Sequence, residues 1–235
     1  MASWEEKNIV VLGDSITWGA YTDGNIWWQE LGRLLGCKSI VGYGVRGSCF
    51  SVTSDYHMTN EPMSERWKYL PANADIYIVF GGTNDYGHGS VLGTIEDVTD
   101  VSFYGAMQQI IAGIQTMNSN ATLVFMTPLR RYGFGLTENG IQLLYDTMPN
   151  AVGHTLRDYR EAILRKCALH NVPVIDTYAI SGFDFSDGQD GIHPFDSFVE
   201  GKSPYTVDGL HPNTEGHIKL AESVLPYMKK IFGEL

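Results

Sequence analysis

Short runs of apolar, largely β-branched residues recur along the chain at Ile9 to Leu12, Ser39 to Val41, Ile76 to Phe80, Leu123 to Met126 and Val172 to Ile175. Their length and apolar character predict that most are buried strands. Between them the apolar spacing changes to that of helices. Ile26, Trp27, Leu31, Leu34 and Leu35 share one helical face, and Phe103, Met107, Ile110, Ile111, Ile114 and Met117 share another. A third helix is expected from Val152 through Leu156, Tyr159 and Ile163 to Cys167. A fourth carries Ile218, Ala221, Val224, Leu225 and Met228 and should be kinked or loosened by Pro226, which removes a backbone donor.

Strands alternating with helices indicate right-handed crossovers and a parallel sheet covered on both faces. No linker, repeat or low-complexity tract divides the sequence, so one α/β domain over 1–235 is expected. In such a sheet ligands bind beyond the carboxyl ends of the strands. Four of the segments that follow strands are long, roughly 42–62, 81–102, 128–151 and 177–212, against the usual 2 to 6 residues or so.

Composition narrows the classes. With 43% hydrophobic and 18% charged residues the chain is ordinary globular protein. Its net charge of −11 and lack of a Lys/Arg cluster argue against nucleic acid as a partner. The opening residues lack a signal-peptide pattern, and no stretch approaches the length of a membrane span, so a cytoplasmic protein without membrane insertion is expected. Cys37, Cys49 and Cys167 are odd in number and widely spaced, which fits neither a disulfide framework nor a zinc cluster. Oligomeric state is not legible.

Several motifs fail on inspection. Gly42-Tyr43-Gly44-Val45-Arg46-Gly47 spells a dinucleotide fingerprint, but the residues after it have poor helical character. Gly201-Lys202-Ser203 resembles the end of a phosphate-binding loop, yet Asp196 stands where the loop needs glycine. Neither G-x-S-x-G nor H-E-x-x-H is present, and no metal or cofactor is expected.

What remains is Gly13-Asp14-Ser15, where the first strand stops. Taken alone, such residues serve more often as helix caps than as nucleophiles. Two further stretches change that reading. Gly81-Gly82-Thr83-Asn84-Asp85 follows the third strand, and Val207-Asp208-Gly209-Leu210-His211-Pro212 precedes the last helix. A serine nucleophile needs a base, a carboxylate to orient it and donors for an oxyanion, and all these groups now stand at sheet-end positions.

With these blocks the sequence resembles the SGNH hydrolases, the GDSL-type esterase and lipase family, over nearly its whole length. Gly13-Asp14-Ser15-Ile16 looks like the family's nucleophile block, Gly47 like the glycine of its second, Gly82-Thr83-Asn84-Asp85 like its G-x-N-D block and Asp208 to Pro212 like its last. The resemblance implies a three-layer, flavodoxin-like α/β/α sandwich with a parallel five-stranded sheet in the order 2-1-3-4-5. It also implies a cofactor-free serine esterase, with Ser15 as nucleophile, His211 as base and then acid, and Asp208 as its orienting partner. Ser15 and Gly47 backbone N–H groups and the Asn84 amide would form the oxyanion hole. Short acyl esters, acetyl groups on small molecules or carbohydrates, are the expected substrates. An acyltransferase with the same triad and a silent carbohydrate-binding module are the alternatives.

The chain departs from the family twice. Gly42 stands where the second block usually begins with Asn, which removes an expected polar support beside the oxyanion loop. Asp190-Gly191-Ile192-His193-Pro194 also repeats the D-G-x-H-P pattern 18 residues before Asp208. The choice falls on Asp208 and His211, because Asn213-Thr214-Glu215 after Pro212 offers a helix cap that would anchor the turn. The His193 loop is expected to border the substrate mouth at most.

Overall fold

The computed structural model describes residues 3–52, 61–183 and 205–233. Five parallel strands form the main sheet: β1 (Asn8–Gly13), β2 (Ser39–Gly44), β3 (Ile76–Phe80), β4 (Thr122–Met126) and a fifth, Val174–Ile175, numbered β7 because a hairpin intervenes. Their spatial order is β2-β1-β3-β4-β7, the order expected from the family resemblance. The last strand is shorter than its apolar run, since Pro173 has no N–H for the ladder.

Alternation along each strand divides the core between two faces. Val10, Leu12, Tyr77, Val79, Leu123 and Phe125 pack with α5 (Phe103–Met117) and α6 (Leu156–Leu169). Ile9, Val11, Ile76, Ile78, Val124 and Met126 pack on the other face with α2 (Trp27–Leu35) and α8 (Thr214–Ile231). The sheet is therefore the middle of three layers.

Two helices differ from their expected form. Helix α6 begins at Leu156 rather than at Val152, which is exposed. Helix α8 continues through Pro226. Burying Leu220, Val224 and Met228 contributes about 1.5–3 kcal/mol each, more than the roughly 3 kcal/mol that an internal proline costs. Pro226 and Glu222 both lie on the exposed face, so the carbonyl left without a helical donor faces water.

The long connections also hold structure. Helices α1 (Ser15–Trp18), α3 (Met63–Arg66), α4 (Thr83–His88) and α7 (Thr177–Ile180) are each four to six residues long. Within 128–151 the chain forms an antiparallel hairpin of β5 (Tyr132–Thr137) and β6 (Gly140–Tyr145). Its glycines admit close packing: a Cβ on Gly135 would lie 3.1 Å from the Gly87 carbonyl oxygen of α4.

Candidate active site

Register puts three strand ends side by side, with Gly13 of β1 opposite Gly44 of β2 and Phe80 of β3. Ser15, Gly47 and Asn84 follow those ends within two, three and four residues respectively. The capping and nucleophile readings of Gly13-Asp14-Ser15 prove to describe different residues. Asp14 is the N-cap of α1, its Oδ1 accepting from the Ile16 N–H at 2.9 Å, which leaves the Ser15 hydroxyl free for another partner.

That partner is His211, whose Nε2 lies 3.0 Å from Ser15 Oγ. Its Nδ1 lies 2.7 Å from Asp208 Oδ2. A carboxylate can only accept, so the imidazole proton belongs on Nδ1, and Nε2 is left to accept from the serine hydroxyl. Asp208 is held in turn. Its Oδ1 accepts from the backbone N–H groups of Leu210 at 3.0 Å and His211 at 2.7 Å. Burial works to raise the Asp208 carboxyl, but its hydrogen bonds, the one with His211 foremost, outweigh that and hold it below the usual carboxylate range.

The turn that carries this pair is braced on both sides. Gly209 adopts φ +79°, and its carbonyl accepts from the Tyr132 N–H of the hairpin at 2.8 Å. On the other side Asn213 caps α8, accepting from the Gly216 N–H at 2.8 Å as its sequence position suggested. Asp190 and His193 lie outside the described residues, as does any bordering role for that loop.

Gly47 takes φ +72° in the turn that follows β2, where Val45 N–H donates to the Gly13 carbonyl and Ser48 N–H to Val45. The buried Asn84 amide donates to the Ser48 carbonyl at 3.0 Å, so Gly47 and Asn84 are brought together through that residue. Asp85, assigned no role from sequence, secures the chain just beyond. It accepts from Phe50 N–H, Ser51 N–H and the Ser51 hydroxyl at 2.8–3.1 Å, and burial raises its carboxyl. Gly42 also has a physical reason. A Cβ there would lie 2.4 Å from the Trp28 ring, so no Asn side chain fits.

Two features had no clear sequence signal. Tyr21, 54% exposed and at φ +61°, sets its ring 5.2 Å from that of His211. Asp14 is buried beside Ser15, and its carboxyl is pushed up to about 6, chiefly by desolvation. Among the described residues no group of three or more His, Cys, Asp or Glu is placed to hold a metal ion, and no helix is long and apolar enough to cross a membrane. A hydroxyl, an imidazole and a carboxylate in one hydrogen-bonded line make a unit able to move a proton from an attacking oxygen.

Comparison with known proteins agrees with the fold. One solved structure is 32% identical, covering 98% of this chain and 99% of its own, with a TM-score of 0.81. A protein from Lactobacillus plantarum is 26% identical at the same coverages, with a TM-score of 0.75. A carbohydrate acetylesterase family member from Sinorhizobium meliloti shares the fold at 13% identity and a TM-score of 0.62, covering 97% of this chain and 99% of its own. No curated protein matches. The model of the GDSL-like lipase/acylhydrolase family matches residues 11–218, from within β1 into α8, and the chain belongs to that family of ester hydrolases.

Proposed function

We propose that the protein hydrolyses short-chain acyl esters, acetyl esters above all, on small alcohols or carbohydrates. The observation that carries this reading is the continuous hydrogen-bonded line from Ser15 through His211 to Asp208. Ser15 Oγ attacks the ester carbonyl while His211 Nε2 takes its proton, and Asp208 stabilises the imidazolium that forms. The carbonyl oxygen becomes an oxyanion held by the Ser15 and Gly47 N–H groups and the Asn84 amide, neutral donors that need no protonation. His211 then returns the proton to the departing alkoxide. A water, deprotonated by the same imidazole, attacks the acyl-enzyme and releases the acid.

A carbohydrate alcohol is supported by Tyr21, a half-exposed ring set 5.2 Å from that of His211. The acetylesterase name of one structural relative agrees with it.

Purified protein is expected to release p-nitrophenol from p-nitrophenyl acetate and to take a fluorophosphonate label on Ser15. Ser15→Ala and His211→Ala should abolish turnover, and Asn84→Ala should lower kcat by about 10²–10³-fold. Full activity in Ser15→Ala would refute the mechanism. A series from acetate to palmitate, with acetylated xylan alongside, tests the acyl length and the alcohol; a maximum at long chains would overturn the acetyl preference.

A further inference from the structure

Arg66, the last residue of α3, is only 6% exposed. A buried guanidinium is costly unless its N–H groups are met. Here Nε donates to the Glu61 carbonyl at 3.1 Å, Nη1 to the Tyr43 carbonyl at 2.9 Å, and Nη2 to both the Gly13 carbonyl at 2.6 Å and Ser48 Oγ at 3.0 Å. Three of these four acceptors belong to the pieces of chain that build the site. Gly13 is two residues before Ser15, Tyr43 lies in β2, and Ser48 follows Gly47. Ser48 is thereby gripped twice, through its hydroxyl by Arg66 and through its carbonyl by Asn84.

All four acceptors are neutral, and the carboxylates of Asp14 and Glu61 attract the Arg66 charge without a salt bridge to it among the described residues. Burial lowers its pKa to about 10, so it remains a cation at neutral pH. Hydrogen bonds from a charged donor are stronger than those between neutral groups, and the fork geometry holds its partners at fixed separations. Trp28 leaves no room at Gly42 for a polar side chain, and Arg66 supplies a polar hold on the same loop.

We propose that Arg66 is the positioning residue of the oxyanion hole: it ties the Gly47–Ser48 loop to the strand end carrying Ser15, and its buried charge favours an anion there. Arg66 acts through the loop and does not itself touch the ester. The inference rests on the assignment of Ser15, Gly47 and Asn84 given above.

Arg66→Lys keeps the charge but loses the fork, whereas Arg66→Met loses both. Rates with p-nitrophenyl acetate are normalised to active sites titrated with a fluorophosphonate, so that a partly unfolded population does not count. Arg66→Lys is expected to lower kcat about tenfold and Arg66→Met about 10²-fold, with KM within about threefold of wild type, because the loss falls on the transition state. A boronic acid, which forms an anionic tetrahedral adduct with serine, should lose affinity by the same factors as kcat. Near-UV circular dichroism checks the fold, and if Arg66→Met does not fold, Arg66→Lys decides. A folded variant that keeps kcat and boronate affinity within about threefold of wild type overturns the proposal, as does a fall in kcat without a fall in boronate affinity. A wild-type protein that takes no label on Ser15 would instead overturn the esterase mechanism.

Discussion

Asp14 offers a quantitative test of how the site is built. The carboxyl is 1% exposed and its pKa rises from 3.8 to about 6, with desolvation as the main cause. Its bond from the Ile16 N–H and its attraction to His211 and Arg66 act in the opposite sense and are already contained in that net value. Between pH 3.8 and about 6 the folded chain holds a proton that the unfolded chain has released, so stability falls as pH rises through this window. Above it, keeping Asp14 ionised costs roughly 3 kcal/mol, at 1.36 kcal/mol per pKa unit. Asp14→Asn keeps an oxygen able to accept from Ile16 N–H and removes the buried charge. Urea unfolding of both proteins from pH 3.5 to 8 should give equal stabilities at the acid end. The difference should grow to roughly 3 kcal/mol in favour of Asn above pH 6. A difference that does not change with pH, or a variant less stable than wild type at pH 8, would refute the reasoning.

Other perturbations probe the scaffold. At Gly209 a Cβ would lie 2.0 Å from the Tyr132 carbonyl oxygen at φ +79°, so Gly209→Ala combines left-handed strain with a backbone collision. It should cost roughly 2–4 kcal/mol in urea unfolding and lower kcat by shifting His211; wild-type stability and rate would count against the brace between the hairpin and the proposed triad. The buried Tyr159 hydroxyl donates to the Ser90 carbonyl and accepts from the Asn150 amide at 3.0 Å. Tyr159→Phe leaves the Ser90 carbonyl without this donor and one Asn150 N–H without an acceptor, the other still donating to the Tyr86 carbonyl, and should lower unfolding free energy by about 1–3 kcal/mol without changing kcat.

The central strands were legible because a strand buried on both faces of a parallel sheet must be apolar throughout, as Ile76–Phe80 is, whereas the edge strand Ser39–Gly44 is only partly buried. The hairpin was not. Tyr132, Phe134 and Leu136 alternate with glycines and threonine, and the Asn139-Gly140 turn signal is offset by one from the Glu138-Asn139 loop, so the stretch reads as connection. Of the two D-G-x-H-P turns, the cap at Asn213 pointed to His211, which lies 3.0 Å from Ser15, while the other turn falls outside the described residues.

The sequence alone therefore determined the layered architecture, the strand order through its family resemblance, and the residue types able to act at the strand ends. Those depend on side-chain chemistry, which is written in the residues themselves. Tertiary structure decided which groups meet: that Trp28 fills the space over Gly42, that Tyr132 holds Gly209, and that Arg66 binds Gly13, Tyr43 and Ser48. Most of those contacts end on backbone carbonyls, which every residue carries alike, so no pattern of residues records them until the chain has folded.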